Sequence, residues 1–249
     1  MQKKKKASRR PVTRARAARV APGTGTRSQA TRERILDAAE KLFAERGYHG
    51  VSIRDVTGAA DVDVALVSYH FGSKQGLLDA VLMRRAADLN DERLALLDAV
   101  LAGSGRRPPK LEAIIDAFTR PLLDRSSRGT PGWKSYFALI AEINNSHEFG
   151  VLMTRYFDPV VERFIEAIRH GLPECDDRDV YWAYHFLSGA LTLTFAETGR
   201  IDKLSGGICR SSDLASVHAR LVPYCAAGFR ALCGNGRARP FVRATKGRP

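Results

Sequence analysis

Between Asp61 and Leu82 the chain reads DVDVALVSYHFGSKQGLLDAVL, setting a hydroxyl, a phenol and an imidazole side by side at Ser68, Tyr69 and His70, with an ammonium at Lys74. All of these groups donate hydrogen bonds, and Lys74 carries a positive charge. As a set they suit the phosphate oxygens of a nucleic-acid backbone. Just ahead of them, Val64, Ala65 and Leu66 offer apolar contacts that can read thymine methyl groups, and Ser68 can meet a base edge. None makes the two-pronged pairing that gives sharp base choice, so direct readout from this segment is soft. Ser52 can touch a phosphate while capping a helix, and Arg32 and Arg54 are further phosphate candidates. The bland alternatives stand beside these roles: Leu66 as a core leucine, His70 closing against Phe71, and both arginines solvated or paired at i,i+4 spacing.

Catalytic chemistry finds no comparable set. The chain holds no G-x-S-x-G, no H-E-x-x-H, no Walker or dinucleotide loop and no linear cluster of metal ligands, and its six histidines are scattered singly. No catalytic residue, metal site or cofactor is therefore expected. Cys175, Cys209, Cys225 and Cys233 form no C-x-x-C pair and follow no secretory leader. Reduced thiols in a cytoplasmic setting are the simplest reading, and metal ligation by them is not expected.

The elements that would position the donors can be read from spacing. Ile35, Ala38, Ala39, Leu42 and Phe43 recur at helical intervals within Ser28 to Arg46, with Thr26 and Gln29 matching a capping box ahead of them and Gly47 after them. Ser52 and Asp55 form a second box opening a short helix, Ile53 to Ala60, and Asp63 can cap a third from Val64 to about His70, stopped by Gly72. The last two are joined by a three-residue turn, which is the helix-turn-helix arrangement. In it Val62, Val67 and Phe71 face the core. Ser73 caps a long helix from Lys74 to about Leu101. Beyond the breaker at Gly103 to Pro109 the pattern stays helical: Leu111 to about Asp124, Trp133 to about Asn144, Phe149 to Gly171 with a kink at Pro159, Asp176 to Thr198, and Ser212 to Cys233 with a kink at Pro223. The fold expected is all-α, a helix-turn-helix head over residues 28–75 and a larger helical ligand-binding and dimerisation body over residues 76–233.

Charge is distributed unevenly. The net charge is +13, yet residues 1–27 hold ten Lys or Arg and no acid, and residues 234–249 hold five and no acid. Removing those fifteen cations leaves the middle at −2. The expectation is a near-neutral globule with a disordered basic arm and a basic tail, the arm serving phosphate attraction. Residues 28–75 carry six cations against seven acids, which puts more electrostatic work on the arm. Val180 to Ala196 carries no formal charge, but it is shorter than the ~20 residues a spanning helix needs and contains His185, Ser188 and Gly189, so no membrane partner is expected.

With these residues in hand, the stretch 31–83, TRERILDAAEKLFAERGYHGVSIRDVTGAADVDVALVSYHFGSKQGLLDAVLM, closely resembles the DNA-binding head of TetR/AcrR-type transcriptional regulators, over about a fifth of the chain. Its specific parts are AAEKLFAERGY, SIRDV and YHFGSKQGLL, in that order and spacing. The sequence departs from the pattern at Asp61, where the family usually has Gly, and at Ser68, where it often has Tyr. The resemblance implies double-stranded operator DNA as partner, a homodimer formed by the last two helices, and release from DNA by a small effector. The stretch TGRIDKLSGG, Thr198 to Gly207, bears a faint likeness to members that sense fatty acids or acyl-CoA thioesters. In the body, Trp133, Tyr136, Phe137, Ile140, Phe157, Trp182 and Phe186, with Asn144 and His185 as polar anchors, are the candidate lining of an apolar effector pocket. The competing reading is a polybasic module acting on anionic membranes or nonspecifically on nucleic acid; an all-α enzyme is weaker still.

Overall fold

The computed structural model describes residues 24–130 and 132–234, and every regular element among them is helical. The order is α1 Thr24–Arg46, α2 Ile53–Ala60, α3 Val64–Phe71, α4 Lys74–Ser104, α5 Leu111–Arg128, α6 Trp133–Asn144, a 3-10 turn His147–Phe149, α7 Gly150–Tyr156, α8 Asp158–Gly171, α9 Asp177–Phe195, α10 Arg200–Leu204 and α11 Leu214–Gly234. The basic arm and nearly all of the basic tail lie outside the described residues.

Local chemistry sets the head. Ser52 caps α2 by a full capping box: its hydroxyl accepts the Asp55 amide, and the Asp55 carboxylate accepts the Ser52 amide. Asp63 caps α3 by accepting from the Ala65 amide at 2.7 Å. Between them Asp61 adopts the left-handed conformation at φ 51 and ψ 58, which aspartate enters more readily than most side chains, and its backbone N–H closes the helix on the Gly58 and Thr57 carbonyls. Ile35, Leu36, Ala39 and Phe43 of α1, with Val56, Val67, Leu77, Leu78 and Val81, make the fully buried centre of this head.

Several boundaries depart from the sequence expectation; α5 runs on to Arg128 rather than about Asp124, and α9 stops at Phe195 rather than Thr198. Thr26 lies inside α1 rather than at its cap, since the helix begins at Thr24; a capping box is a preference of about 1 kcal/mol that a further helical turn can override. The expected kink at Pro159 is instead a break at Phe157, and Pro159 occupies the first turn of a new helix, where its missing N–H costs nothing. Pro223 sits within α11 without ending it. The cysteines also differ from expectation: Cys175, in the turn before α9, and Cys233, at the end of α11, form a disulfide, while Cys209 and Cys225 are free. Fifty-eight residues separate the pair in sequence, and it is the antiparallel return of α11 along α9 that brings them together.

The body is a layered bundle. Helix α5 packs on α4, α8 and α11, and α9 packs on α6, α8 and α11. The head is not a loose appendage, because α1 packs on α6 as well as on α2 and α4. At this seam Glu40 of α1 is only 2 % exposed and accepts from Arg84 Nη2 at 2.8 Å and from Arg85 Nε at 2.7 Å; Arg84 Nη1 also donates to Asp37. Gly132 makes the seam possible: at φ +99 a side chain is strained, and a Cβ would strike the Arg85 guanidinium and the Glu40 carboxylate.

Candidate DNA interface and effector cavity

Helix α3 turns one face inward through Val67, which is buried, and presents Val64, Ala65, Ser68 and Tyr69 to solvent. Tyr69 is 78 % exposed, an unusual state for so large a ring and one that leaves its hydroxyl free to reach outward. His70 is half-buried and meets both neighbours, edge-on to Tyr69 at 4.9 Å and tilted against Phe71 at 5.9 Å. Leu66 is half-buried and packs on the core, as do Val62 and Phe71. Lys74 opens α4 with its ammonium 4.2 Å above the Tyr48 ring, which holds the cation beside α3.

The remaining phosphate candidates sit in mixed surroundings. Ser52 is exposed, but its hydroxyl also donates to Asp55 Oδ2 at 2.6 Å, and the two hydrogen bonds from Ser52 keep that carboxyl below the usual aspartate range. Arg54 is exposed on α2, with no ion-pair partner among the described residues. Arg32 lies 5.3 Å over the Phe71 ring and 3.6 Å from Glu33, so it braces α3 against α1. The acids of the head also fall into place: Glu33, Asp37 and Glu40 face Arg84 on α4. Much of the head's negative charge is thus matched from the body side.

A cavity of about 110 Å³ lies inside the body, walled by α4, α5, α6, α8 and α9 with Met153 of α7. Of the residues expected there, Tyr136, Phe137, Ile140, Asn144 and Phe157 line it. Four do not. Trp133 is buried, but its ring is covered by the Arg85 and Arg125 guanidinium groups at 4.8 and 4.6 Å. Trp182, His185 and Phe186 stack on one another along the outer face of α9, because the helical period points Val180, Ala183, Leu187 and Leu191 inward instead. The Thr198 to Gly207 stretch forms α10 and the turns around it and lines no part of the cavity.

The cavity's polar groups are few. Asn144 donates to Thr192 Oγ1 at 3.0 Å and lies 3.4 Å from Ser188 Oγ, forming a hydrogen-bonded rim. Tyr136 is wholly buried and donates to the Leu82 carbonyl at 3.1 Å, and burial holds its phenol far above the usual range. Tyr184 is raised as well, by burial first and then by Asp158. Arg93 and Asp158 also line the space, and neither was singled out from the sequence. Arg93 did leave a signal: Leu89, Arg93 and Leu97 follow at i, i+4 and i+8, so an arginine interrupts the core stripe of α4.

Head and body meet again just after α1. Glu142 of α6 accepts the Tyr48 amide at 3.3 Å, an approach open only because residue 47 is glycine, whose added Cβ would lie 2.7 Å from the Glu142 carboxylate. The Tyr48 ring packs edge-on against Phe149 at 5.1 Å, and His49 meets Glu148 at 2.9 Å.

Two family models match this architecture in succession: Bacterial regulatory proteins, tetR family, over residues 35–81, and Tetracyclin repressor-like, C-terminal domain, over residues 116–228. The chain belongs to the TetR family. Its TetR-type head is 34 % identical over 59 residues to the HTH-type transcriptional regulator UidR of Escherichia coli K12, a match covering 24 % of this chain and 30 % of UidR, so less than a third of that relative is spanned. A longer likeness, 24 % over 173 residues, joins it to the HTH-type transcriptional regulator BetI of Escherichia coli O127:H6, covering 69 % of this chain and 86 % of BetI. Among TetR-like folds, a transcriptional regulator from Saccharomonospora viridis, solved in complex with choline, superposes with a TM-score of 0.51 at 22 % identity, over 79 % of this chain and 97 % of that one. Among the described residues, no helix is long and apolar enough to cross a membrane.

Proposed function

We propose that this chain is a homodimeric, cytoplasmic transcriptional repressor whose head, residues 28–75, holds an inverted-repeat operator and whose body, residues 76–233, releases it when a small hydrophobic effector fills the α4–α9 cavity. The observation that carries this reading is the continuity of α4. The same helix begins at Lys74, beside the exposed face of α3, and places Leu89 and Arg93 in the cavity wall. Nineteen residues at 1.5 Å each put those ends about 28 Å apart along one rigid rod.

The direct readers are Val64, Ala65 and Ser68, with Leu66 touching the groove by its outer half; Tyr69, His70, Lys74, Ser52, Arg54 and Arg32 hold phosphates. An effector that enlarges the cavity moves α6, which is tied to α4 by Tyr136 and to the end of α1 by Glu142. Both supports of the head then shift together, and the two heads of a dimer lose the spacing of about 34 Å that successive major grooves require. At about 110 Å³ the cavity is somewhat smaller than the ~150 Å³ space that holds a benzene, so a body no larger than one ring or a short acyl chain enters only as the walls part. It does not support a whole coenzyme A thioester. Genomic fragments selected by the purified protein test the reading: short inverted repeats are expected, and a fragment pool without dyad symmetry, or tighter binding to anionic vesicles than to any fragment, overturns it.

A further inference from the structure

Arg93 is out of place in the body of this molecule. Its side chain is 2 % exposed, its Nε has no hydrogen-bond partner, and its Nη1 reaches only the neutral Asn90 Oδ1 at 3.4 Å. No carboxylate lies within ion-pair distance of it among the described residues; it rests instead 3.8 Å over the Phe118 ring and 5.7 Å from Phe164. The other buried or half-buried arginines of the chain are treated differently, Arg84 and Arg85 both being answered by Glu40. Burial pushes the Arg93 guanidinium down to about 10, so it remains charged at neutral pH. A buried cation without a counter-ion is costly, and stacking on aromatic faces offsets only part of that cost.

We propose that Arg93 is the receptor for an anionic head group, so that the effector is a small hydrophobic carboxylate whose apolar body lies among Phe118, Phe137 and Phe157. This rests on the effector reading of the cavity above. A carboxylate supplies the missing negative charge and takes parallel hydrogen bonds from the guanidinium fork. Asp158, the cavity's other charged wall residue, stands in the first turn of α8 and is no ion-pair partner of Arg93. It repels an anion from its own end and so sets the ligand's direction. The choline held by the Saccharomonospora viridis neighbour is a cation. With Arg93 uncompensated, this cavity selects the opposite charge.

The test compares benzoate and hexanoate with their amides and with benzylamine and hexylamine, by calorimetric titration of the full chain. The carboxylates are expected to bind on the order of 10- to 100-fold more tightly than the amides, the worth of one charged hydrogen-bonded contact. Arg93→Met abolishes that preference while leaving the ligand-free protein at least as heat-stable as the wild type, because it removes a buried unpaired charge. Arg93→Lys keeps a weakened preference, having the charge without the fork. If amides or amines bind the wild type as tightly as the acids, or if Arg93→Met keeps the preference, the anion assignment falls while the cavity reading stands. If none of the six binds, the cavity reading falls and this inference with it.

Discussion

Tyr69 and Leu66 lie three residues apart on one short helix and face different solvents. Tyr69 stands in water and Leu66 leans on the core, so substitutions at the two should fail differently. Leu66→Ala is expected to cost roughly 1–2 kcal/mol of stability, about half of what a fully buried leucine loses, measured by urea unfolding, alongside any change in sequence preference. Val64→Ala, on the exposed side, should alter which operators bind with stability unchanged. Lys74→Ala should weaken every sequence alike and reduce the salt slope of log affinity by about 0.9, the signature of one lost phosphate contact; a reordered sequence preference would contradict the assignment. The exposed donors of α3 were legible from residue type and spacing because the head is built from local signals, two caps and a turn. Arg93 shows in the sequence only as an interruption of the α4 core stripe, and whether such an arginine is buried or exposed is decided by α5 and α8, which lie far along the chain. Trp182 and Phe186 misled for the related reason that aromatic content does not tell which face of a helix a neighbour covers.

Helix boundaries followed the local signals closely where a cap or a glycine marked them, as at Ser52, Asp63 and Ser73, and drifted where a weaker preference competed, as at Thr26 and Pro159. What spacing could not reveal is how the elements are tied. Glu40 occupies an ordinary position in the α1 sequence, yet its burial against Arg84 and Arg85 joins the head to the body. Glu40→Gln removes the buried carboxylate that Arg84 and Arg85 share and is expected to cost about 3–5 kcal/mol in chemical denaturation, the usual consequence of breaking a buried pair from one side. A loss under 1 kcal/mol would mean that Asp37 and Glu33 take over the pairing. The Cys175–Cys233 bond ties the end of α11 to the turn before α9 in the same way. On the chain-entropy account, closing a loop of 58 residues stabilises by about 4 kcal/mol. Cys233→Ser should therefore lower the melting temperature under oxidising conditions, and the wild type should fall to the same value in excess dithiol.

Across the whole molecule, charge and apolar surface are laid out on different parts of the chain. The ten cations of residues 1–27 precede a head with no net positive charge, so the arm should supply long-range attraction that the head does not. Deleting residues 1–23 is expected to flatten the salt slope by several units and leave the order of preferred sequences intact; an unchanged slope would reduce the arm to a solubility tail. Apolar surface is concentrated on α9 and α11, where Phe186 and Tyr224, each more than half exposed, line a groove with Ala190, Ala227, Gly228 and Ala231, and Trp182 and Leu193 are exposed on the same helix α9. Large rings beside small residues make a surface that can interlock with its own copy, and a contiguous apolar face of this kind on a folded chain calls for a cover. Phe186→Asp buries a charge at the centre of such a contact and is expected to yield monomers in light scattering, with the helical content and the binding of the cavity ligand preserved. Because an inverted repeat is read by two heads related by the same axis, the monomeric variant should bind a single half-site as the wild type does and lose the extra affinity that the full operator gives through effective concentration, on the order of 100-fold or more. A variant that stays dimeric, or a monomer that binds the full operator undiminished, would place the twofold axis elsewhere on the molecule.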